Sequence, residues 1–514
     1  MASVKSGQVE CWPEDPVAGV CVHFTSLPSP IGIGDIGDAS LRFIDQLALM
    51  KLRVWQVLPV GPTSFGDSPY QTLSTFAGNE LLIGLEPLVR QGLIEEEALE
   101  PLRRLPFETV EFESVAPLKR ALLESAAEKF LAGGSSGSME AYRVFCEQTG
   151  HAWLDDYALF RALKTFHKEK AWTDWAPGLA RRDKDAIERA KASLREAMEK
   201  HRVIQFFFDQ QWQALRKHAA DNKITLLGDI PFYIAHDSSD AWANPELLMM
   251  DQLGQPSQVA GVPPDYFSED GQLWGNPVYN WQSQAQDGYQ WWIRRLARTA
   301  ALHDLVRIDH FRGFESFWSV PRGETTARTG AWKPGPGTDF FTVVKKSLRA
   351  LPIVAEDLGL ITPEVTRLRQ QQGFPGMKVL QFELLDPKFD ISDISENCVC
   401  YSGTHDNDTT VGWFAGQGAE KQRPKEIRRL QRRALRHTGG TAGTIHHDVI
   451  RLALSSRARM VMIPLQDFLG LGSEARMNTP GTADGNWRWR VTTNQLSSAL
   501  QNQVATLVEE FSRV

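Results

Sequence analysis

The chain has 514 residues, of which 42% are hydrophobic and 23% charged, and a formal net charge of -7. This is ordinary globular composition with material for a large core, and the acidic balance argues against the basic footprint of a general nucleic-acid or anionic-membrane binder. The five cysteines (Cys11, Cys21, Cys146, Cys398 and Cys400) are odd in number and lack a CxxC pair, which argues against a secreted disulfide framework. Residues 1–10 carry no apolar signal-peptide stretch, and no run approaches about 18 uninterrupted apolar residues, so a cytoplasmic chain with no membrane span is expected. Length alone leaves open either three or so domains of roughly 100–200 residues or one decorated barrel.

In chain order, eight short apolar, β-rich runs stand out: residues 20–24, 54–59, 224–229, 305–309, 353–356, 377–382, 399–404 and 460–466. Helical patterns lie between them, such as 39–51 and 290–303. Strands alternating with helices predict a parallel sheet, and eight such units predict a closed (β/α)8 TIM barrel; the resemblance given below helps to guide that count. Residues 1–514 then form a single decorated barrel. Most of the long gap after the second run reads as helix (117–132, 138–148, 153–166 and 183–220), with a flexible connector at 133–138. This predicts a helical subdomain over 85–222, inserted between barrel strands 2 and 3. A second insertion, 235–285, follows strand 3; its Pro263, Pro264, Tyr266, Phe267 and Trp274 suggest a shaped loop or lid over 261–275. The charged stretch 181–202 and the basic run 425–437 read as solvated helix faces.

In such a barrel the active site lies at the C-terminal ends of the strands. Four runs end in carboxylates: Asp229, Asp309, the pair Glu356-Asp357, and the cluster Asp406 to Asp408. Any one of them could be a helix cap or an ion-pair partner. Strand alternation makes Arg307 and Asp309 share a face, as do Val354 and Glu356. If the fourth and fifth runs are neighbours, Asp309 and Glu356 face each other across the barrel mouth, as the two carboxyl groups of a retaining glycosidase do at about 5–5.5 Å. His310 and His405 could be structural or functional. No HExxH or comparable ligand spacing suggests a metal.

These stretches closely resemble the 4-α-glucanotransferase family, also called amylomaltase or disproportionating enzyme, within the α-amylase clan. The resemblance is carried by Leu27-Pro28-Ser29, 32–37, 66–71, Gly228-Asp229, 259–267, Gly275-Asn276-Pro277, 307–313, 355–359, 375–382, 403–409 and 473–478. It implies transfer of α-1,4-glucan segments between maltooligosaccharide, starch or glycogen chains, or to glucose; a hydrolase on the same scaffold is the alternative. It implies Asp309 as nucleophile, Glu356 as general acid/base and Asp406 as the carboxylate that holds sugar hydroxyls. It also implies that Arg307 and His405 position nucleophile and substrate, and that Asp229, Trp274 and Phe382 contact donor and acceptor. Tyr70 is implied to touch glucan away from the reaction centre, and no metal or organic cofactor is implied. The chemistry agrees: Arg307 favours an ionised Asp309, whereas Glu356 needs a raised pKa to hold its proton.

Overall fold

The computed structural model describes residues 12–264, 269–348, 352–417, 424–482 and 484–514. Tyr266 and Phe267 lie outside the described residues. Among the described residues there are twelve strands: β1 (Val17–Cys21), β2 (Val54–Gln56), β3 (Thr225–Ile230), β4 (Gln258–Val262), β5 (Gln272–Pro277), β6 (Leu305–Ile308), β7 (Ser316–Pro321), β8 (Ala331–Pro334), β9 (Ile353–Ala355), β10 (Gly376–Val379), β11 (Cys398–Tyr401) and β12 (Met460–Pro464).

Eight of these form one parallel sheet in the order β10-β11-β12-β1-β2-β3-β6-β9. The two ends meet where the Ala355 N–H donates to the Pro375 carbonyl at 2.9 Å, so the sheet curls into a nearly closed barrel. Each predicted apolar run supplies one barrel strand. The strands are short and buried almost throughout, which is why they read as continuous apolar runs rather than alternating ones. The run 377–382 is strand only to Val379, where pairing with Tyr401 ends the ladder; Leu380–Glu383 is helical, so Phe382 sits on a helix.

The segment after β3 departs from the expected irregular loop. β4 and β5 pair antiparallel, and β4 also pairs with β7, giving a second sheet ordered β5-β4-β7-β8. Trp274 therefore stands on a strand. The partners β7 and β8 come from beyond β6, a separation that local sequence pattern cannot reveal.

Between β2 and β3 the chain is mostly helical. The expected connector at 133–138 is almost absorbed: helices Phe112–Gly133 and Ser136–Thr149 leave only Gly134 and Ser135, and Ser135 caps the second helix by accepting the Ser138 N–H. The expected helix 183–220 breaks at Leu194 into Lys184–Ser193 and Arg195–Asp221. The latter, about 40 Å long at 1.5 Å per residue, packs Phe207, Phe208 and Trp212 into the barrel's core. Its other end lays Met198 into a separate cluster with Phe160, Trp172, Trp175 and Trp242. Each such aromatic removes enough apolar surface to contribute roughly 1.5–3 kcal/mol. No helix among the described residues is long and apolar enough to cross a membrane.

The barrel's outer face leaves no room at Gly228, one residue before Asp229. A Cβ there would lie 2.4 Å from the His303 ring. That ring is buried, donates its Nδ1–H to the Thr299 carbonyl at 3.2 Å and packs edge-on against Trp212 at 5.3 Å, so it cannot swing away. Gly228→Ala is expected to cost about 1–3 kcal/mol through overpacking, read as a lowered urea midpoint with unchanged far-UV circular dichroism. An unchanged midpoint would show that helix and strand can separate freely here.

Candidate active site

Strand register aligns Asp229 with Arg307 and Arg307 with Val354, so these side chains share the inner face of the barrel. The next pair in that register is Asp309 with Glu356, one residue past the ends of β6 and β9. Main-chain hydrogen bonds carry the ladder to this point: Asp309 N–H donates to the Ile230 carbonyl and Glu356 N–H to the Ile308 carbonyl, both at 3.0 Å.

Arg307 is the hub. Its guanidinium is 3% exposed and forks between two carboxylates, with Nη1 donating to Asp229 Oδ2 at 2.5 Å and Nη2 to Asp309 Oδ1 at 2.9 Å. Asp229 Oδ2 also accepts the Tyr70 hydroxyl proton at 2.9 Å. The Tyr70 ring stacks on His405 at 5.1 Å, and Trp487 lies 6.0 Å from both rings. His405 Nε2 lies 3.3 Å from Asp406 Oδ2, and Asp406 Oδ1 accepts from Asn478 Nδ2 at 2.6 Å. Hydrogen bonds, an ion pair and a ring stack thus link residues around the mouth, drawn from strands β3 and β6 and from the loops that follow β2, β6, β11 and β12. Tyr70 is one of them, which corrects its expected place away from the reaction centre: the loop after β2 folds inward, and its hydroxyl is pinned by Asp229.

Glu356 is held differently. Oε2 accepts the His310 N–H and Oε1 the Leu358 N–H, each at 2.7 Å. Burial, reinforced by the nearby Asp309 charge, pushes its carboxyl up to about 7, although Arg307 and the two N–H donors pull the other way. Burial also pushes Asp229 up to about 7 against the pull of Arg307. Burial drives the imidazole of His310 down to about 3 and lowers that of His405, so both rings are neutral near pH 7. The carboxylates around Arg307 raise its pKa well above normal despite its burial, so it stays charged.

Trp274 is half-buried on β5, its ring edge-on to His310 at 4.9 Å and near Tyr233 at 6.2 Å. Phe382 is 44% exposed on its helix. Its neighbour Gln381 turns inward instead, donating to the Asp408 carbonyl. Two strand-end carboxylates are structural, since Asp357 pairs with Arg369 at 3.0 Å and Asp408 accepts from Ser473 Oγ at 2.6 Å. Asn478, Trp487 and Arg312 were not singled out by sequence. They lack a motif chemistry of their own, although Asn478 closes the matched stretch 473–478. Among the described residues no group of three or more His, Cys, Asp or Glu could hold a metal ion.

Comparison with known proteins places this geometry. A family model described as 4-alpha-glucanotransferase matches residues 22–496. A 4-alpha-glucanotransferase of Synechocystis sp. is 43% identical, covering 96% of this chain and 98% of that protein. One from Streptococcus pneumoniae is 42% identical, covering 97% of each. Among solved structures, an amylomaltase from Streptococcus agalactiae in complex with acarbose superposes with a TM-score of 0.91 at 34% identity, covering 97% of this chain and 99% of that one.

The Arg307 fork makes a testable demand on stability. In Arg307→Met the buried Asp229 loses its cation, and breaking a buried pair costs about 3–5 kcal/mol. Asp229 has a folded-state pKa raised above its unfolded value, so its contribution is most favourable below the unfolded pKa and is lost as pH rises through about 7. The variant should therefore be strongly destabilised at pH 8 and much less so at pH 5, measured by urea unfolding at both. Equal loss at the two pH values would mean that Asp229 is not the charge left behind.

Proposed function

The chain belongs to the 4-alpha-glucanotransferase family, and from that premise we propose that it moves α-1,4-linked glucan segments between chains, or to glucose, by a retaining route through a glycosyl group on Asp309. The observation that carries this reading is that Asp309 and Glu356 face each other one residue past the ends of neighbouring strands, one carboxylate beside a buried guanidinium and the other half-buried with its pKa raised to about 7. The acarbose held by the Streptococcus agalactiae amylomaltase supports an α-glucan as the substrate.

The two carboxylates divide the work by charge. Arg307 occupies Asp309 Oδ1 and leaves Oδ2 for the anomeric carbon of the donor. As that oxygen attacks, the glycosidic bond breaks, and Glu356 gives its proton to the departing 4-oxygen. The shortened chain leaves, with the other segment bonded to Asp309. Glu356, now ionised, takes the proton from the 4-hydroxyl of an acceptor, whose oxygen displaces Asp309. Two inversions restore the α configuration, and Glu356 is again protonated. Asp406, held at one oxygen by Asn478 and at the other by His405, is oriented to accept sugar hydroxyls in bonds that tighten as the ring flattens. Trp274 offers a half-exposed ring beside this centre, suited to stacking an acceptor sugar and excluding water.

Incubation with maltotriose should yield glucose together with longer maltodextrins; accumulation of reducing ends without longer products would instead indicate hydrolysis. In Glu356→Gln, turnover of maltotriose should fall by several orders of magnitude, while an α-glucosyl fluoride, whose leaving group needs no proton, should still label Asp309 in mass spectrometry. Absence of that adduct, or equal loss with both donors at the glycosylation step, counts against these roles. With wild type, the maltotriose rate should decline as pH rises through about 7, because Glu356 then loses the proton that the first step consumes. A rate still rising at pH 8 would remove Glu356 as the acid.

A further inference from the structure

The turn directly after Asp309 does more than leave the strand. His310 is in the left-handed region (φ 54°, ψ 46°), an uncommon conformation for a residue with a side chain. This geometry turns its N–H back to Glu356 Oε2, and the next residue, Phe311, donates its N–H to the Glu356 carbonyl at 3.2 Å. Two of the main-chain donors that hold Glu356 therefore belong to the two residues that follow Asp309.

What seats this turn is Arg312. It is 5% exposed although it carries a charge. Nη1 donates to the carbonyl of Leu360, four residues beyond Glu356, and Nη2 donates to Ser316 Oγ at 3.1 Å. The guanidinium carbon lies 3.8 Å from the centre of the Trp332 ring on β8, in a cation–π contact. Leu360 itself is 61% exposed, and the chain just before it passes through Gly359 at φ 80°, so the loop after Glu356 has little packing of its own on this side. One planar side chain thus joins the turn after Asp309, the far end of the loop after Glu356 and the second sheet.

We propose that Arg312 is a positioning residue that sets the aim of the Glu356 carboxyl by clamping the turn after Asp309 to the loop after Glu356. The proposal rests on the retaining reading given above. In such a mechanism a misplacement of about 1 Å can cost on the order of 100-fold in rate, so a clamp outside the substrate's reach can control turnover. Lysine cannot replace it, because a single ammonium lacks the flat fork that serves two acceptors while stacking on a ring.

The test is Arg312→Lys, with Trp332→Leu as a second variant that removes the stacking surface and leaves the turn intact. With maltotriose, Arg312→Lys should lower kcat by about 10–100-fold with KM within about threefold of wild type. Single-turnover labelling by α-glucosyl fluoride, which needs no acid, should change by less than about threefold. Loosening the His310 N–H from Glu356 also removes a contact that favours its ionised form, so the alkaline limb of the maltotriose profile should move to higher pH. Trp332→Leu should shift the same three readouts in the same directions by a smaller factor. Should Arg312→Lys not fold, the Trp332→Leu profile decides alone. Wild-type turnover in both variants, or equal losses with the two donors and an unmoved alkaline limb, overturns the clamp. Failure of the wild-type enzyme to form any adduct on Asp309 with the fluoride would instead overturn the retaining reading, which separates the two outcomes.

Discussion

A single buried cation organises this molecule's chemistry. Arg307 sits inside the barrel between Asp229 and Asp309 and donates to both carboxylates. Hydrogen bonds to charged groups contribute roughly 1.5–3 kcal/mol each, yet the larger effect is the desolvation penalty that would follow if the buried Asp229 were left unpaired. The strand before Asp309 delivers the guanidinium from the same face and the same element, so Arg307 and Asp309 cannot be displaced independently. Asp229 extends the hold to the neighbouring strand and, through Tyr70, to the loop after β2.

The same enclosure gives Glu356 the opposite character. Among the described residues its carboxylate meets two main-chain N–H donors and no side-chain cation within hydrogen-bonding reach, and burial together with the Asp309 charge outweighs those donors. Two acids on adjacent strands thereby meet different surroundings through one asymmetry, the side on which the arginine lies. This is the division of labour that acid/base chemistry near neutral pH requires. It costs no additional group, since the charge that adds to burial in raising Glu356 is the carboxylate that the proposed route uses for attack.

Around this centre the second sheet and the helices after β2 act at different distances. The antiparallel sheet brings Trp274 against His310, whose left-handed backbone holds Glu356, and brings Trp332 against Arg312. The helices between β2 and β3 build a second hydrophobic cluster and touch the barrel mainly through Arg195–Asp221. Much of the surplus length beyond a bare barrel is therefore invested in walls and rims rather than in the reacting groups.

The parts legible in the sequence were those that depend on near neighbours in the chain. Eight apolar runs became eight barrel strands, and the two-residue alternation placed Arg307 beside Asp309 and Val354 beside Glu356. The motifs pointed to Asp309, Glu356 and Asp406, and all three stand at the mouth. The antiparallel sheet was not legible, because β4 finds its partner β7 across two intervening helices and the barrel strand β6, and pairing energy at that separation leaves no local pattern. Tyr70 looked peripheral and proved central, while Phe382 looked like strand and proved an exposed helical residue, since both depend on how a loop folds over the strand ends. The sequence by itself determined which groups carry charge and which face of a strand they share. Only the tertiary structure decided which carboxylate meets a guanidinium and which meets main-chain N–H groups, because burial and long-range contact set their protonation.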